Sequence, residues 1–120
     1  MHGMLWLGRA VGLALIALVI FLSLTPHPPQ ATAWTESDKL GHLLAYATLM
    51  AWHAGVYPGR RSRWVWAVCF VLMGVMLEIV QGLGGVRHME LFDMVANTLG
   101  VIIGWTAFLA ARRWARPAKA

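Results

Sequence analysis

The chain has 120 residues, of which 59% are hydrophobic and 12% are charged, and its formal net charge is +5. Soluble domains average about 45–50% apolar and about 25% charged residues, so a globular fold in water could not bury this much apolar surface. The composition therefore excludes an ordinary soluble domain and predicts a membrane protein. A single cysteine, Cys69, excludes an internal disulfide and a cysteine-based zinc site. Because Cys69 lies within an apolar segment, we expect it to serve packing.

The first apolar segment runs from about residue 4 to about residue 24. About 20 residues at roughly 1.5 Å each span about 30 Å, the thickness of the hydrocarbon layer. Arg9 lies near the start of the segment, where its side chain can extend to the membrane surface. The alternative is a cleaved signal peptide, because Ala31-Thr32-Ala33 has the small-x-small form of a cleavage site. We expect the segment to be retained as a transmembrane helix.

Three further apolar segments follow, at about residues 38–56, 64–83 and 91–111. Turn-forming residues separate the second segment from the third, at Tyr57-Pro58-Gly59. Tryptophans, which favour the water–lipid interface, lie near segment ends at Trp6, Trp34, Trp64 and Trp114. The sequence thus predicts an all-α membrane protein, a single domain over residues 1–120 with four transmembrane helices in a compact bundle.

The basic residues predict the orientation of these four helices. Four crossings place both termini and the loop between the second and third helices on one side of the membrane. Eight of the ten basic residues fall on that side, namely Arg9, Arg60, Arg61, Arg63, Arg112, Arg113, Arg116 and Lys119. Because cytoplasmic segments are rich in Lys and Arg, we expect both termini to be cytoplasmic (N-in/C-in). Contact with anionic lipid at this face explains the basic charge, so we expect no nucleic-acid partner.

Polar side chains recur at one-turn spacing at the opposite end of three predicted helices. They are Asp38, His42 and Tyr46 on the second, Glu78 and Gln81 on the third, and Asp93 and Asn97 on the fourth. Residues three or four apart share a helix face. A carboxylate facing lipid would cost on the order of 2.5–3.5 kcal/mol, so we expect these groups to turn inward as one cluster, with Lys39 and Arg87 as its cations.

Two other features of the helices carry predictions. Gly100 and Gly104 lie four residues apart on the fourth helix, a spacing that lets another helix approach closely. His53 extends the stripe of Asp38, His42 and Tyr46 along the second helix. We expect His53 to be a hydrogen-bonded residue at the interface and to have no functional role.

The spacings Asp38-Lys39-x-x-His42-x-x-x-Tyr46 and Glu78-x-x-Gln81, with Arg87, Asp93, Asn97, Gly100 and Gly104, resemble the pattern of the VanZ-like family of small membrane proteins. The resemblance extends from about residue 5 to about residue 110. It implies a multi-pass, four-helix protein of the bacterial cytoplasmic membrane, in a family of which some members are associated with resistance to teicoplanin-type glycopeptides. It implies no established reaction. The family's polar positions correspond here to Asp38, Lys39, His42, Tyr46, Glu78, Gln81, Arg87, Asp93 and Asn97.

Three interpretations of the predicted cluster stay open. The first, which we favour, is a polar pocket at the outer face that binds or modulates a cell-envelope component, an envelope lipid or a peptidoglycan precursor. The second is an enzyme acting on such a molecule by acid–base chemistry, with His42, Glu78 and Asp93 as catalytic candidates and Asp38 orienting His42. The third is a purely structural network that fixes helix packing.

The sequence predicts no cofactor, and we expect membrane lipid to be a partner of the protein. A metal held by His42, Glu78 and Asp93 is chemically feasible, but the sequence has no recognisable metal-binding spacing and two cations are adjacent, so no metal is predicted. The absence of an internal repeat and of a broken helix disfavours a transporter unless the protein forms a homo-oligomer, and the oligomeric state stays open.

Overall fold

The structure, a computed structural model, describes residues 2–25, 35–84 and 91–116, with the side chains of residues 35–38 excepted. Four α-helices occupy these residues: α1 (His2–Leu24), α2 (Thr35–Val56), α3 (Arg60–Leu83) and α4 (Leu91–Ala115). Helices make up 94% of the described residues, and no strand occurs among them. The predicted all-α class is therefore confirmed.

The helices are longer than the apolar segments that predicted them. α3 begins at Arg60 and α4 ends at Ala115, so several arginines assigned to loops belong to the helices. Arginine has a high helix propensity, and its long side chain can reach the polar surface from within a terminal turn. Gly59, just before α3, has a φ of 108°, which supports the predicted turn at this position. The proposed cleavage site at residues 31–33 lies outside the described residues.

Three helices, α1, α3 and α4, are long and apolar enough to cross a membrane. Their outward faces are strongly apolar, and the exposed side chains include Met4, Leu7, Leu13, Phe21, Leu72, Phe92 and Trp114. A soluble monomer rarely exposes contiguous apolar surface on this scale. The chain is therefore a membrane protein, as its composition predicted.

α2 lies among the other three helices and packs against each of them. It supplies much of the buried core, through Tyr46, Leu49, Met50 and Ala54. Phe70 of α3 and Val101 of α4 complete the same apolar cluster, together with Ala67. Neighbouring helices therefore shield the faces of α2 that carry polar residues.

The closest helix pair is α2 with α4, and glycine makes the approach feasible. A Cβ atom on Gly100 would collide with the carbonyl oxygen of Leu43, and one on Gly104 would collide with that of Ala47. The predicted close approach at these two glycines is therefore confirmed, with α2 as the partner helix. Because Gly100 lies at Leu43 and Gly104 lies at Ala47, α2 and α4 run parallel.

The helix directions place the buried carboxylates and most of the described arginines at opposite ends of the bundle. α1 runs opposite to α2, because the Trp52 Nε1–H near the end of α2 donates to the Gly8 carbonyl near the start of α1 over 2.9 Å. α3 ends near the end of α1, where Gln81 contacts Ser23. Lys39, Glu78 and Asp93 therefore lie at one end. The arginines that the structure describes lie at the other, namely Arg9, Arg60, Arg61, Arg63, Arg112, Arg113 and Arg116.

Two predicted positions need correction. Cys69 is exposed on the outside of the bundle, so it does not fill the core. Apolar residues occur on all sides of α3. Composition alone therefore does not show whether Cys69 lies on the face toward the bundle or on the face toward lipid. His53 is hydrogen-bonded as expected, with its Nδ1 2.8 Å from the Leu49 carbonyl oxygen, but it is buried within the bundle, where its ring packs against Trp66 and Phe70.

Arg63 is also placed differently from the sequence-based expectation of a loop residue. It belongs to the first turn of α3, is buried, and lies with its guanidinium carbon 5.9 Å from the centre of the Phe108 ring of α4. A guanidinium over an aromatic face is a favourable cation–π arrangement. Arg63 therefore joins α3 to α4 at the arginine-rich end.

Candidate functional site

Six polar side chains from α2, α3 and α4 gather at one end of the bundle, and we refer to them as the polar cluster. They are Lys39, His42, Tyr46, Glu78, Asp93 and Asn97. Glu78 and Asp93 are 1% and 4% exposed, which is rare for carboxylates unless they have partners. Tyr46 and Asn97 are buried as well.

The helices position these groups through local features of the sequence. Asp93 lies in the first turn of α4, where the helix dipole favours negative charge. Asn97 follows one turn later on the same face and approaches α3 at Gly74. A Cβ atom on Gly74 would lie only 2.9 Å from the Asn97 amide nitrogen, so glycine provides the space for this side chain. Tyr46, one turn beyond His42 on α2, is within electrostatic reach of the Glu78 carboxylate.

His42 connects two residues of α4 through its two ring nitrogens. Its Nδ1 lies 3.0 Å from Asn97 Oδ1, and its Nε2 lies 3.6 Å from Asp93 Oδ2. An amide oxygen can only accept, so Nδ1 carries the proton in this arrangement. The sequence predicted that Asp38 would orient His42, and the described contacts assign that role to Asn97. The Asp38 side chain lies outside the described residues.

Lys39 brings a positive charge to the cluster. Its Nζ lies 3.5 Å from Asp93 Oδ1, and its side chain is 29% exposed, against 6% for Asp93. The prediction that Lys39 or Arg87 lies within ion-pair reach of a carboxylate is therefore confirmed for Lys39, and Arg87 lies outside the described residues. Apart from this ion pair, buried Asp93 Oδ1 has no hydrogen-bond donor within the described part of the chain.

Gln81, which was predicted to belong to the cluster, is buried in the bundle as expected, and its side-chain amide contacts α1. Its Nε2 donates to the carbonyl oxygen of Ser23, near the end of α1. Both residues are buried. Gln81 therefore fastens α3 to α1 at the end of the bundle that carries the cluster. Sequence reasoning did not predict this contact, because a backbone acceptor leaves no signal in residue type.

The cluster brings three metal-type ligands together. One ligand atom from each of His42, Glu78 and Asp93 lies within 4.8 Å of the others. The same atoms can accept hydrogen bonds from a polar ligand, and Lys39 can pair with an anionic one. The arrangement can thus hold a cation or a polar group that carries charges of both signs.

A separate concave surface lies between α3 and α4. It is an apolar groove of about 630 Å³, with Trp64, Trp105 and aliphatic side chains among its lining residues. No member of the polar cluster lines it. The groove fits the hydrocarbon environment of a membrane protein and is distinct from the polar cluster.

The fold and the cluster define a class: a small helical membrane protein with buried ionisable side chains gathered at one end of its bundle. A family model described as VanZ/LLP1 matches residues 9–112, so the chain belongs to this family. The resemblance inferred from the residue spacings is thereby confirmed. No curated protein and no solved structure matches the chain significantly.

Proposed function

We propose that this protein crosses the bacterial cytoplasmic membrane four times, with both termini in the cytoplasm, and binds the polar head group of an envelope lipid or lipid-linked peptidoglycan precursor at the polar cluster. Through this binding it contributes to resistance against teicoplanin-type glycopeptides. The observation that carries the proposal is the burial of Glu78 and Asp93 beside Lys39 and His42. Ionisable groups at membrane depth are costly and usually serve a substrate, an ion or a proton.

α2 supplies the fourth crossing in this proposal. Its 22 residues extend about 33 Å at the helical rise of about 1.5 Å per residue, which is enough to span the hydrocarbon layer. Its polar residues explain why α2 is not among the helices that are apolar enough by composition alone to cross a membrane. Enclosure by α1, α3 and α4 keeps those residues away from lipid and removes the cost of exposing them.

The arginine-rich end of the bundle supports the orientation, because positive charge is retained in the cytoplasm. A cysteine-labelling experiment tests it in a Cys69→Ser background. Gly84→Cys, at the cluster end, should react with an impermeant maleimide on intact spheroplasts, and Ala115→Cys, at the other end, should react only after lysis. Both positions are exposed, so burial does not bias the comparison. Reversed labelling would place the cluster at the cytoplasmic face and refute the proposed orientation.

The charges of the cluster fit a head group that carries both phosphate and hydrogen-bond donors. Lys39, the most accessible described member, pairs with phosphate oxygens. The carboxylates of Glu78 and Asp93 accept from ammonium, amide or hydroxyl groups deeper in the site. Apolar tails of the ligand remain in the surrounding lipid.

Thermal melting of purified, delipidated protein in detergent tests binding. The protein, in buffer that contains EDTA, is titrated separately with a peptidoglycan-precursor lipid and with phosphatidylethanolamine. Diacylglycerol, which has the tails but no charged head group, is the control. We expect a head-group-dependent rise in Tm for wild type, and its loss in Asp93→Asn. Thr106→Val is the matched control: Thr106 is exposed and its hydroxyl bonds only its own helix in the described structure, to Ile102. Equal stabilisation by diacylglycerol would contradict head-group binding.

The pairing of His42 Nε2 with Asp93 Oδ2 favours one alternative, acid–base catalysis on the same ligand. Mass spectrometry of each lipid after incubation with the protein tests this alternative. A new product that is absent with His42→Gln would assign an enzyme. An unchanged lipid that still raises Tm would assign a binding protein.

A further inference from the structure

We propose that His42, Glu78 and Asp93 bind one divalent transition-metal cation. One ligand atom from each residue lies within 4.8 Å of the others. Two ligand atoms of a tetrahedral zinc site with bonds of about 2.1 Å lie about 3.4 Å apart. The 3.6 Å between His42 Nε2 and Asp93 Oδ2 is close to that separation, so one cation could contact both atoms with little movement.

The hydrogen bond to Asn97 supports a metal-binding role for His42. Nδ1 of His42 donates to Asn97 Oδ1 over 3.0 Å, which directs the lone pair of Nε2 toward Asp93. Metal-binding histidines typically donate their other ring N–H to an oxygen in this way, because the bond fixes the tautomer and the ring orientation. Asn97 is itself buried and held against Gly74, so the imidazole is positioned before a metal arrives.

The two carboxylates of the cluster also suit a divalent cation. Glu78 and Asp93 are both buried, and Lys39 contributes one positive charge near Asp93. Within the described residues, buried Asp93 Oδ1 has the ion pair with Lys39 at 3.5 Å but accepts no hydrogen bond, so this oxygen keeps capacity for a further ligand. Lys39 is partly exposed, and its flexible side chain can extend toward the surface when a cation occupies the site.

The donor set indicates the class of metal. One imidazole nitrogen with two carboxylate oxygens suits Zn²⁺, whereas sites for Mg²⁺ or Ca²⁺ are built from oxygen alone. Three protein ligands leave a fourth tetrahedral position for water or for a ligand oxygen. The sequence analysis predicted no metal because the ligands show no local spacing. They come from three different helices, so only the fold brings them together.

Isothermal titration of purified, EDTA-stripped and dialysed protein with ZnCl₂ tests the site, in detergent without added lipid and without a histidine tag. We expect wild type to bind about one equivalent, and His42→Gln to abolish this binding. Asn97→Ala should weaken affinity by about 10–100-fold, the usual effect of removing a hydrogen-bond partner of a ligand. His2→Gln is the matched control, because His2 is exposed at the far end of α1 and should leave the titration unchanged.

The zinc K-edge spectrum of the loaded protein gives a second readout, which should fit one imidazole and otherwise oxygen ligands. Circular dichroism and gel filtration of each variant exclude loss by misfolding. Equal zinc affinity in wild type and folded His42→Gln would overturn the proposal, as would a wild type that binds no zinc. Because the lipid titration is performed in EDTA and this one without lipid, the failure of one proposal is distinguishable from the failure of the other.

Discussion

Replacing Gly104 by alanine tests the packing that holds the polar cluster together. The new methyl group would collide with the carbonyl oxygen of Ala47 and would lie 3.0 Å from its Cα. These are backbone atoms of α2, so no rotamer change relieves the contact and the two helices must separate. Overpacking of this kind typically costs about 1–3 kcal/mol. Alanine also gains up to about 1 kcal/mol in helix propensity over glycine, which offsets part of this cost.

Gly41→Ala isolates the propensity gain. Gly41 lies on α2, and a Cβ atom there would meet no atom of the described neighbouring residues within 4 Å beyond its own turn of helix. We therefore expect Gly41→Ala to be neutral or slightly stabilising and Gly104→Ala to be less stable by about 1–3 kcal/mol relative to it. Equilibrium unfolding in a mixed-micelle titration measures both free energies of unfolding. Equal stability of the two variants would refute the close α2–α4 contact.

Two hydrogen bonds between helices give further predictions, both measured by the same unfolding titration. Gln81→Leu removes the donor to the Ser23 carbonyl and should lower stability by about 0.5–1.5 kcal/mol, and an unchanged value would contradict the α1–α3 contact. Trp52→Phe removes the 2.9 Å bond to the Gly8 carbonyl and should cost a similar amount, about 0.5–1.5 kcal/mol. A more stable Trp52→Phe would argue against the docking of α1 on α2.

The sequence predicted the helices because a helix that crosses a membrane must have a certain length and an apolar composition. Both properties can be read from one segment of the chain. It also predicted the polar residues at one end, since polar side chains one turn apart share a face. The small-residue pair Gly100 and Gly104 indicated a close contact, although the sequence did not name α2 as the partner. These features all follow from rules that act within one helix.

The remaining features depend on which helix faces meet. Asn97 was expected in the cluster. Its hydrogen bond with His42 was not predicted, because the two residues lie 55 positions apart in the chain. Gln81 is buried as expected, but its hydrogen bond to a backbone acceptor on α1 was not predicted. Cys69 was misplaced, and the burial of His53 was not foreseen, because an apolar helix gives little sequence signal for its inner face. Pairings between helices are set by packing, which local spacing does not encode.

The central claim, that the polar cluster binds an envelope ligand and is not only a packing device, is tested most directly with Glu78→Gln and Asp93→Asn. Each amide keeps the shape of its carboxylate but cannot carry charge. We measure membrane abundance, Tm and teicoplanin susceptibility of a host expressing each variant. If the carboxylates only balance buried charge, stability should fall, by up to about 3–5 kcal/mol for a fully buried pair and less for the partly exposed Lys39–Asp93 pair.

The account predicts that both variants keep normal abundance and Tm while the host loses resistance. If Tm and abundance fall in parallel with resistance, the cluster has a structural role and the binding function is not supported. Full resistance with both carboxylates neutralised would contradict the binding function outright.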